Sequence, residues 1–128
     1  MKLFLDTAIV SDIEDRLPTG LISGITTNPT LIRKSGRDPW DVYKDIIELG
    51  VDDLSIEVNG DDSQELVRNA MTAHGNCGNV ATIKLPCTIE GLKACSYLVN
   101  IGVRVNMTLV FSVSQAITCL LPVVQKLN

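Results

Sequence analysis

Val80-Ala81-Thr82-Ile83-Lys84-Leu85-Pro86, continued by Cys87-Thr88-Ile89-Glu90-Gly91-Leu92-Lys93-Ala94-Cys95-Ser96-Tyr97-Leu98-Val99-Asn100-Ile101-Gly102-Val103, holds one whole strand–helix unit. Val80 to Leu85 is an apolar run containing β-branched residues, and it stops at Pro86, which has no N–H to give to a sheet ladder. From Ile89 to Val99, Leu92, Cys95, Ser96 and Val99 fall at spacings of three and four, which is one face of a helix. Gly102 ends that helix, and Val103 to Leu109 opens the next apolar run. A helix between two near-continuous apolar strands points to parallel pairing, because parallel strands are buried on both faces and need a long crossover.

The unit recurs along the chain at about 25 residues. Leu3-Phe4-Leu5 is a first run, and Ser11-Asp12-Ile13-Glu14 after it has the capping-box pattern, Ser at the N-cap and Glu at N3. Leu21 to Thr27 is the second run. Asp38-Pro39 then starts a helix whose Trp40, Tyr43, Ile46 and Ile47 form one stripe, with Gly50 as its C-cap. Leu54 to Val58 is the third run, followed by a helix over 65–73 behind Asp62 and Glu65. A fifth helix is expected from Ser112 to Leu121, ending before Pro122. Five strand–helix units with short connections predict an α/β fold with a parallel sheet. Two architectures fit this pattern, an open doubly wound sheet and part of a (β/α) barrel. Asp6-Thr7-Ala8-Ile9-Val10 lacks the glycines of a dinucleotide loop, and the Gly20 to Gly24 stretch precedes a strand, so nucleotide binding is disfavoured.

The chain has 128 residues, which predicts one domain over 1–128. It is 45% hydrophobic and 20% charged, which excludes a disordered segment. Eleven Lys and Arg against 15 Asp and Glu give a net charge of -4, so no nucleic-acid partner is expected. No membrane partner is expected either. The most apolar stretch, Met107 to Val124, is interrupted by Thr108, Ser112, Ser114, Gln115, Thr118 and Pro122, whereas a span needs about 20 mostly apolar residues. Met1 to Leu5 meets Asp6 too soon for a signal peptide, and the cytoplasm is the expected compartment. Cys77, Cys87, Cys95 and Cys119 contain no C-x-x-C pair, and the sole histidine, His74, has no partner at zinc spacing. The cysteines therefore read as buried or half-buried free thiols, with no metal and no cofactor expected.

Function is written at the strand ends. Asp6 follows strand one, Thr26 and Asn28 follow two, Glu57 lies in three, Lys84 in four, and Asn106 and Thr108 in five. Side chains two apart on a strand share a face, so Thr26 with Asn28, Thr82 with Lys84, and Asn106 with Thr108 make polar stripes. Each has a plain structural explanation. Asp6 could cap a helix, Asn28-Pro29 could be a turn, and Glu57 could lie on a frayed end. Lys84 could reach out to solvent, and Asn106 and Thr108 could be rim groups. One shared site accounts for all five positions together, and barrel enzymes carry their chemistry at that end of the strands. A lysine in a barrel interior, which disfavours its charged form, can attack a carbonyl as a neutral amine, and Glu57 and Asp6 would pull the other way, toward the ammonium. Two carboxylates in different surroundings can divide acid and base work.

These residues resemble the small transaldolase family, which includes the fructose-6-phosphate aldolases. The resemblance rests on Phe4-Leu5-Asp6-Thr7-Ala8, on Gly24-Ile25-Thr26-Thr27-Asn28-Pro29-Thr30-Leu31-Ile32, and on Ile83-Lys84-Leu85-Pro86 with Thr88-Ile89-Glu90-Gly91-Leu92. Asn106-Met107-Thr108-Leu109-Val110-Phe111-Ser112 completes it, and the match runs from Met1 to about Gln115. It implies a TIM-type parallel (β/α) barrel that moves a dihydroxyacetone unit from a ketose phosphate, fructose 6-phosphate or sedoheptulose 7-phosphate, to an aldose phosphate, in the pentose phosphate pathway. By motif position Lys84 matches the family's Schiff-base lysine and Asp6 its acid–base group for carbon–carbon cleavage. Glu57, through a water held by Thr108, matches the group that moves protons during imine formation. Thr26, Asn28, Asn106 and Ser112 match the expected substrate-binding residues, and Asn28 and Asn106 are expected to hold the lysine as well. Glutamate at position 57 resembles the transaldolase branch more than the aldolase branch, which tends to carry glutamine there.

A full barrel of this type needs at least about 200 residues. About five of eight units are present here, so a truncation at the C-terminus is expected, without the family's phosphate-gripping serine and arginine. An unclosed sheet leaves two unpaired edges, so a homo-oligomer or a complementing chain is expected. The alternatives are an aldolase-like lyase, or a non-catalytic partial barrel that serves as a binding or assembly module.

Overall fold

A computed structural model describes residues 1–127, and the side chains of residues 1–125. The strands are β1 Leu3–Asp6, β2 Ile22–Thr26, β3 Leu54–Glu57, β4 Ala81–Pro86 and β5 Val105–Thr108. They form one five-stranded sheet in the order β1-β2-β3-β4-β5, every pair parallel. The helices between them are α1 Val10–Arg16, α2 Pro29–Ser35, α3 Pro39–Glu48, α4 Ser63–Cys77 and α5 Ile89–Asn100, with α6 Val113–Leu127 after β5.

This order decides between the two architectures. A doubly wound sheet reverses its strand order at a switch point so that helices cover both faces. Here each strand lies beside its predecessor, and right-handed crossovers then put all helices on one face. The sheet curls into a half-barrel of the TIM type, with five strand–helix units.

The two faces of the sheet differ accordingly. The outer face carries Ile25, Leu54, Ile56, Ala81, Ile83 and Leu85, all buried in one core with Val42 and Ile46 of α3, Leu66 and Ala70 of α4, and Ala94 and Leu98 of α5. The inner face carries Asp6, Thr26, Ser55, Glu57, Thr82, Lys84 and Asn106, residues that alternate with the core set along each strand. Its floor is braced near the start of the strands. Asp53 accepts from Thr82 Oγ1 at 2.8 Å and from Arg104 Nη1 at 3.2 Å, and Arg104 Nη2 donates to the Asn79 and Val80 carbonyls. The Phe4 ring lies across Gly24, where an added Cβ would stand 2.8 Å from the Asp53 carbonyl oxygen.

Several local expectations change. Ser11 is not an N-cap. α1 starts at Val10 after Ile9, because Thr7 Oγ1 accepts the Ile9 N–H at 3.1 Å and turns the chain earlier. Asn28-Pro29 is more than a turn, since it begins α2 with Asn28 as N-cap and Pro29 as first residue. The helix expected over 65–73 runs from Ser63 to Cys77. β5 is shorter than its apolar run, because Leu109 takes φ +61°, a left-handed conformation that turns the chain out of the ladder beside Thr108. Pro122 lies inside α6 and does not end it. The Thr118 carbonyl that loses a backbone donor there belongs to an exposed residue, where water can replace the bond.

The free-thiol reading of Cys77, Cys87, Cys95 and Cys119 matches the structure: Cys95 is buried and the other three are half-buried. Among the described residues, no three His, Cys, Asp or Glu side chains gather as metal ligands. Nor is any described helix long and apolar enough to cross a membrane.

Candidate active site

Sheet register converts the strand-end residues into two rows. Asp6 of β1 pairs with Thr26 of β2, which pairs with Ser55 of β3 and so with Thr82 of β4. One pleat further on, Glu57 of β3 pairs with Lys84 of β4, and Lys84 with Asn106 of β5. Thr108 stands two residues beyond Asn106 on the same face, opposite Pro86.

The first row joins Asp6 to Thr26, whose Oγ1 donates to Asp6 Oδ1 at 2.9 Å. Asp6 itself is exposed. In the second row Lys84 Nζ lies 3.4 Å from Glu57 Oε2, and the two side chains are only 13% and 25% exposed. Nζ also donates to the Thr27 carbonyl at 3.2 Å. The amine is therefore held by one charge and one carbonyl, at the end of a strand whose other face is core. A hollow of about 440 Å³ on the inner face is lined by Thr26, Ser55, Thr82 and Asn106, with Phe4 and Asp53 at its floor. A second, of about 370 Å³, opens beside Glu57 between α2, α3 and α4, with Arg33, Trp40, Asn59 and Asn69 in its wall.

Not every expected residue joins these groups. Asn28 Oδ1 accepts the Leu31 N–H at 2.9 Å, so its oxygen caps α2 and its amide NH2 is unengaged by the described residues. Ser112 is the N-cap of α6. Its Oγ accepts from Gln115 N at 3.2 Å, while Gln115 Oε1 accepts from Phe111 N at 2.8 Å. Among the described residues, no hydrogen bond links Asp6, Asn106, Thr108 or Ser112 to Lys84. The dual position of Asn28 makes it separable. Asn28→Asp keeps the cap oxygen and loses the NH2, so stability in urea should stay within about 0.5 kcal/mol, whereas Asn28→Ala should cost about 1 kcal/mol. Substrate turnover falling in both variants would assign the NH2 to substrate, and a loss confined to the alanine variant would leave it a cap alone.

Two contributors were invisible in the sequence. The Thr27 carbonyl is a backbone group, and no residue pattern marks it as the acceptor for Lys84. Its position is set by Thr27 Oγ1 and N, which both donate to the Ser55 carbonyl, at 2.9 and 3.1 Å. Tyr43 of α3 packs behind this segment. Burial pushes its hydroxyl up from its ordinary value, Thr27 beside it draws it part of the way back, and the charges of Cys77 and then Glu57 add to the rise.

With this geometry in place, comparison with known proteins is informative. The family described as Transaldolase/Fructose-6-phosphate aldolase matches residues 3–123. The chain belongs to that family. A probable transaldolase of Symbiobacterium thermophilum is 48% identical over 122 residues, covering 93% of this chain and 55% of that protein. Probable transaldolases of a Chelativorans species and a Thermoanaerobacter species are 45% and 44% identical over 117 residues, each covering 91% of this chain and 54% of the relative. The chain thus spans about half the length of the curated relatives it matches. Membership in the transaldolase/fructose-6-phosphate aldolase family agrees with the half-barrel.

Proposed function

We propose that this chain carries the Schiff-base half of a transaldolase-type site. The observation that carries the reading is the row Glu57–Lys84–Asn106, with Lys84 Nζ 3.4 Å from the Glu57 carboxylate and mostly shielded from water. The Lys84 amine attacks the carbonyl carbon of a ketose phosphate, and the resulting carbinolamine loses water to give an iminium. Glu57 takes and returns the protons of that dehydration, through a water at Thr108. Asp6 then removes the proton of the C4 hydroxyl, which sits on the far carbon of the C3–C4 bond to be cleaved and becomes the new aldehyde oxygen. The carbon–carbon bond breaks, an aldose phosphate leaves, and the electron pair is held as an enamine on Lys84. Addition to an acceptor aldose and hydrolysis restore the amine. Thr26, Asn28, Asn106 and Ser112 are assigned to the sugar hydroxyls.

The test is reduction with borohydride in the presence of fructose 6-phosphate, read as intact mass. A covalent adduct supports the reading, and none from protein shown to be folded by circular dichroism overturns it for this chain. Products measured with and without an aldose acceptor separate transfer from simple aldol cleavage. Glu57, where the aldolase branch resembles this sequence with glutamine instead, favours transfer.

The same reading includes a covering partner. β1 and β5 each have one neighbour, and Phe111, Ile117 and Leu120 stand in solvent, Phe111 at 84% exposure. Unpaired edges beside apolar surface favour association, with a second copy or with a complementing chain. Sedimentation of this chain alone should therefore show species heavier than a monomer. A monodisperse, folded monomer would count against it.

A further inference from the structure

Cys87 follows Pro86 at the site end of β4, and Cys119 lies in the second turn of α6, 32 positions later. Their sulfurs are 3.6 Å apart, with the Cys119 thiol donating toward Cys87. Cys77 ends α4 and Cys95 is buried in α5, near enough to Cys119 for its charge to be felt there, but among the described residues neither makes a sulfur hydrogen bond to another cysteine. A cleft of about 380 Å³ between α5 and α6 has Cys87 in its wall, beside Leu92, Ser114, Gln115 and Thr118, so a small reagent has a route to that sulfur. The segment it touches is part of the candidate site, since Cys87 N donates to the Thr108 carbonyl at 2.9 Å.

We propose that Cys87 and Cys119 form a modification site, oxidised by a small peroxide to an intramolecular disulfide that fastens α6 to the end of β4. The chemistry balances. The Cys87 thiol gives up its proton, the thiolate attacks one peroxide oxygen, the O–O bond breaks, and hydroxide leaves and takes up a proton to become water, which gives a sulfenic acid. The Cys119 sulfur then attacks Cys87, the S–S bond forms, the S–O bond breaks, and a second water leaves. The thiol pair loses two electrons and the peroxide gains them.

The order of events follows from the surroundings. Cys87 lines the cleft and its sulfur accepts from the Cys119 thiol, so Cys87 is the sulfur that acts first, while burial, then the hydrogen bond and charge of Cys87 and the charge of Cys95, push the Cys119 thiol up to about 11. Once Cys87 is a neutral sulfenic acid, the charge that helped to hold the Cys119 proton is gone. Rotation of the two side chains has then to bring the sulfurs from 3.6 Å to a bond of about 2.0 Å. Because α6 packs against α5, the bond would clamp α6 to the loop that carries the end of β4.

Peptide mapping tests this without any appeal to enzyme activity. The four cysteines fall on four different tryptic peptides, 69–84, 85–93, 94–104 and 105–126. Reduced, folded protein is treated with hydrogen peroxide, alkylated, and digested without reductant. The expected product is 85–93 joined to 105–126, lighter by two hydrogens than the two peptides together, with Cys77 and Cys95 alkylated. Protein unfolded in guanidinium before the peroxide should lose that selectivity, which keeps the test independent of how Cys87→Ser or Cys119→Ser folds. A different dominant pairing, a bond between two copies, or alkylation of both Cys87 and Cys119 after peroxide overturns the proposal.

Discussion

Methionine in place of Lys84 is expected to abolish the borohydride-dependent gain in mass with fructose 6-phosphate while the chain stays folded. Methionine is unbranched and similar in length, so it fills the same space on the inner face without an amine. What it leaves behind is a Glu57 carboxylate without its cation and a Thr27 carbonyl without its donor. Removing one partner of such contacts costs about 1–3 kcal/mol, and Glu57, a quarter exposed, falls toward the low end because water can reach it. Glu57→Gln behaves differently. The amide oxygen still accepts from Nζ, but it cannot shuttle a proton, so the adduct should form about 100-fold more slowly and still reach the same mass. Three readings separate the roles: final adduct, its rate, and the urea midpoint. An adduct that persists in the Lys84→Met protein would place the nucleophile elsewhere and end the assignment. Equal rates in the wild type and Glu57→Gln would remove Glu57 from imine formation.

The residues of that site could be found in the sequence because each interrupts a run that should be apolar. Glu57 and Lys84 sit in strands whose neighbours Ile56, Ile83 and Leu85 are core, so a charge among them calls for a reason. The same alternation could not separate a barrel from an open sheet, since both need apolar strands joined by helices. Only the order of the strands decides that, and order is a long-range fact. α2 is hidden for a different reason. Asn28-Pro29 has the N-cap and first-turn proline of Asp38-Pro39, but the same polar residue at a strand end also fits chemistry, and the local pattern cannot separate the two roles. The brace of Asp53, Thr82 and Arg104 joins residues up to 51 positions apart, and Cys87 meets Cys119 across 32, distances at which local pattern has no hold. In each case the hidden feature is a tertiary contact or a backbone group, and the legible one is a side chain out of keeping with its neighbours.

Gly91→Ala should be among the most damaging single-methyl changes in this chain. Gly91 is the third residue of α5, directly after the Thr88 cap, and its N–H donates to Thr88 Oγ1 at 3.0 Å. A Cβ built there would collide with the carbonyl oxygen of Pro86 and stand 3.1 Å from the carbonyl carbon. These are backbone atoms, and the same Pro86 oxygen already accepts the Thr88 N–H at 2.8 Å, so no side-chain rotation can make room. Either the first turn of α5 or the segment 86–88 must move. The expected cost is about 3 kcal/mol, the upper end for overpacking, read as a lower urea midpoint. Moving 86–88 also pulls on Cys87 N, and through it on Thr108, so the adduct at Lys84 should form more slowly in whatever fraction remains folded. Gly75→Ala is the matched control. Gly75 lies inside α4 with nothing within 4 Å of an added Cβ, and alanine there should stabilise by about 0.5–1 kcal/mol through helix propensity. The same chemical change is thus expected to have opposite signs at two helical positions, decided by a single carbonyl. A Gly91→Ala midpoint equal to that of the wild type would mean that α5 does not start against Pro86, and would also remove the link from that helix to the site.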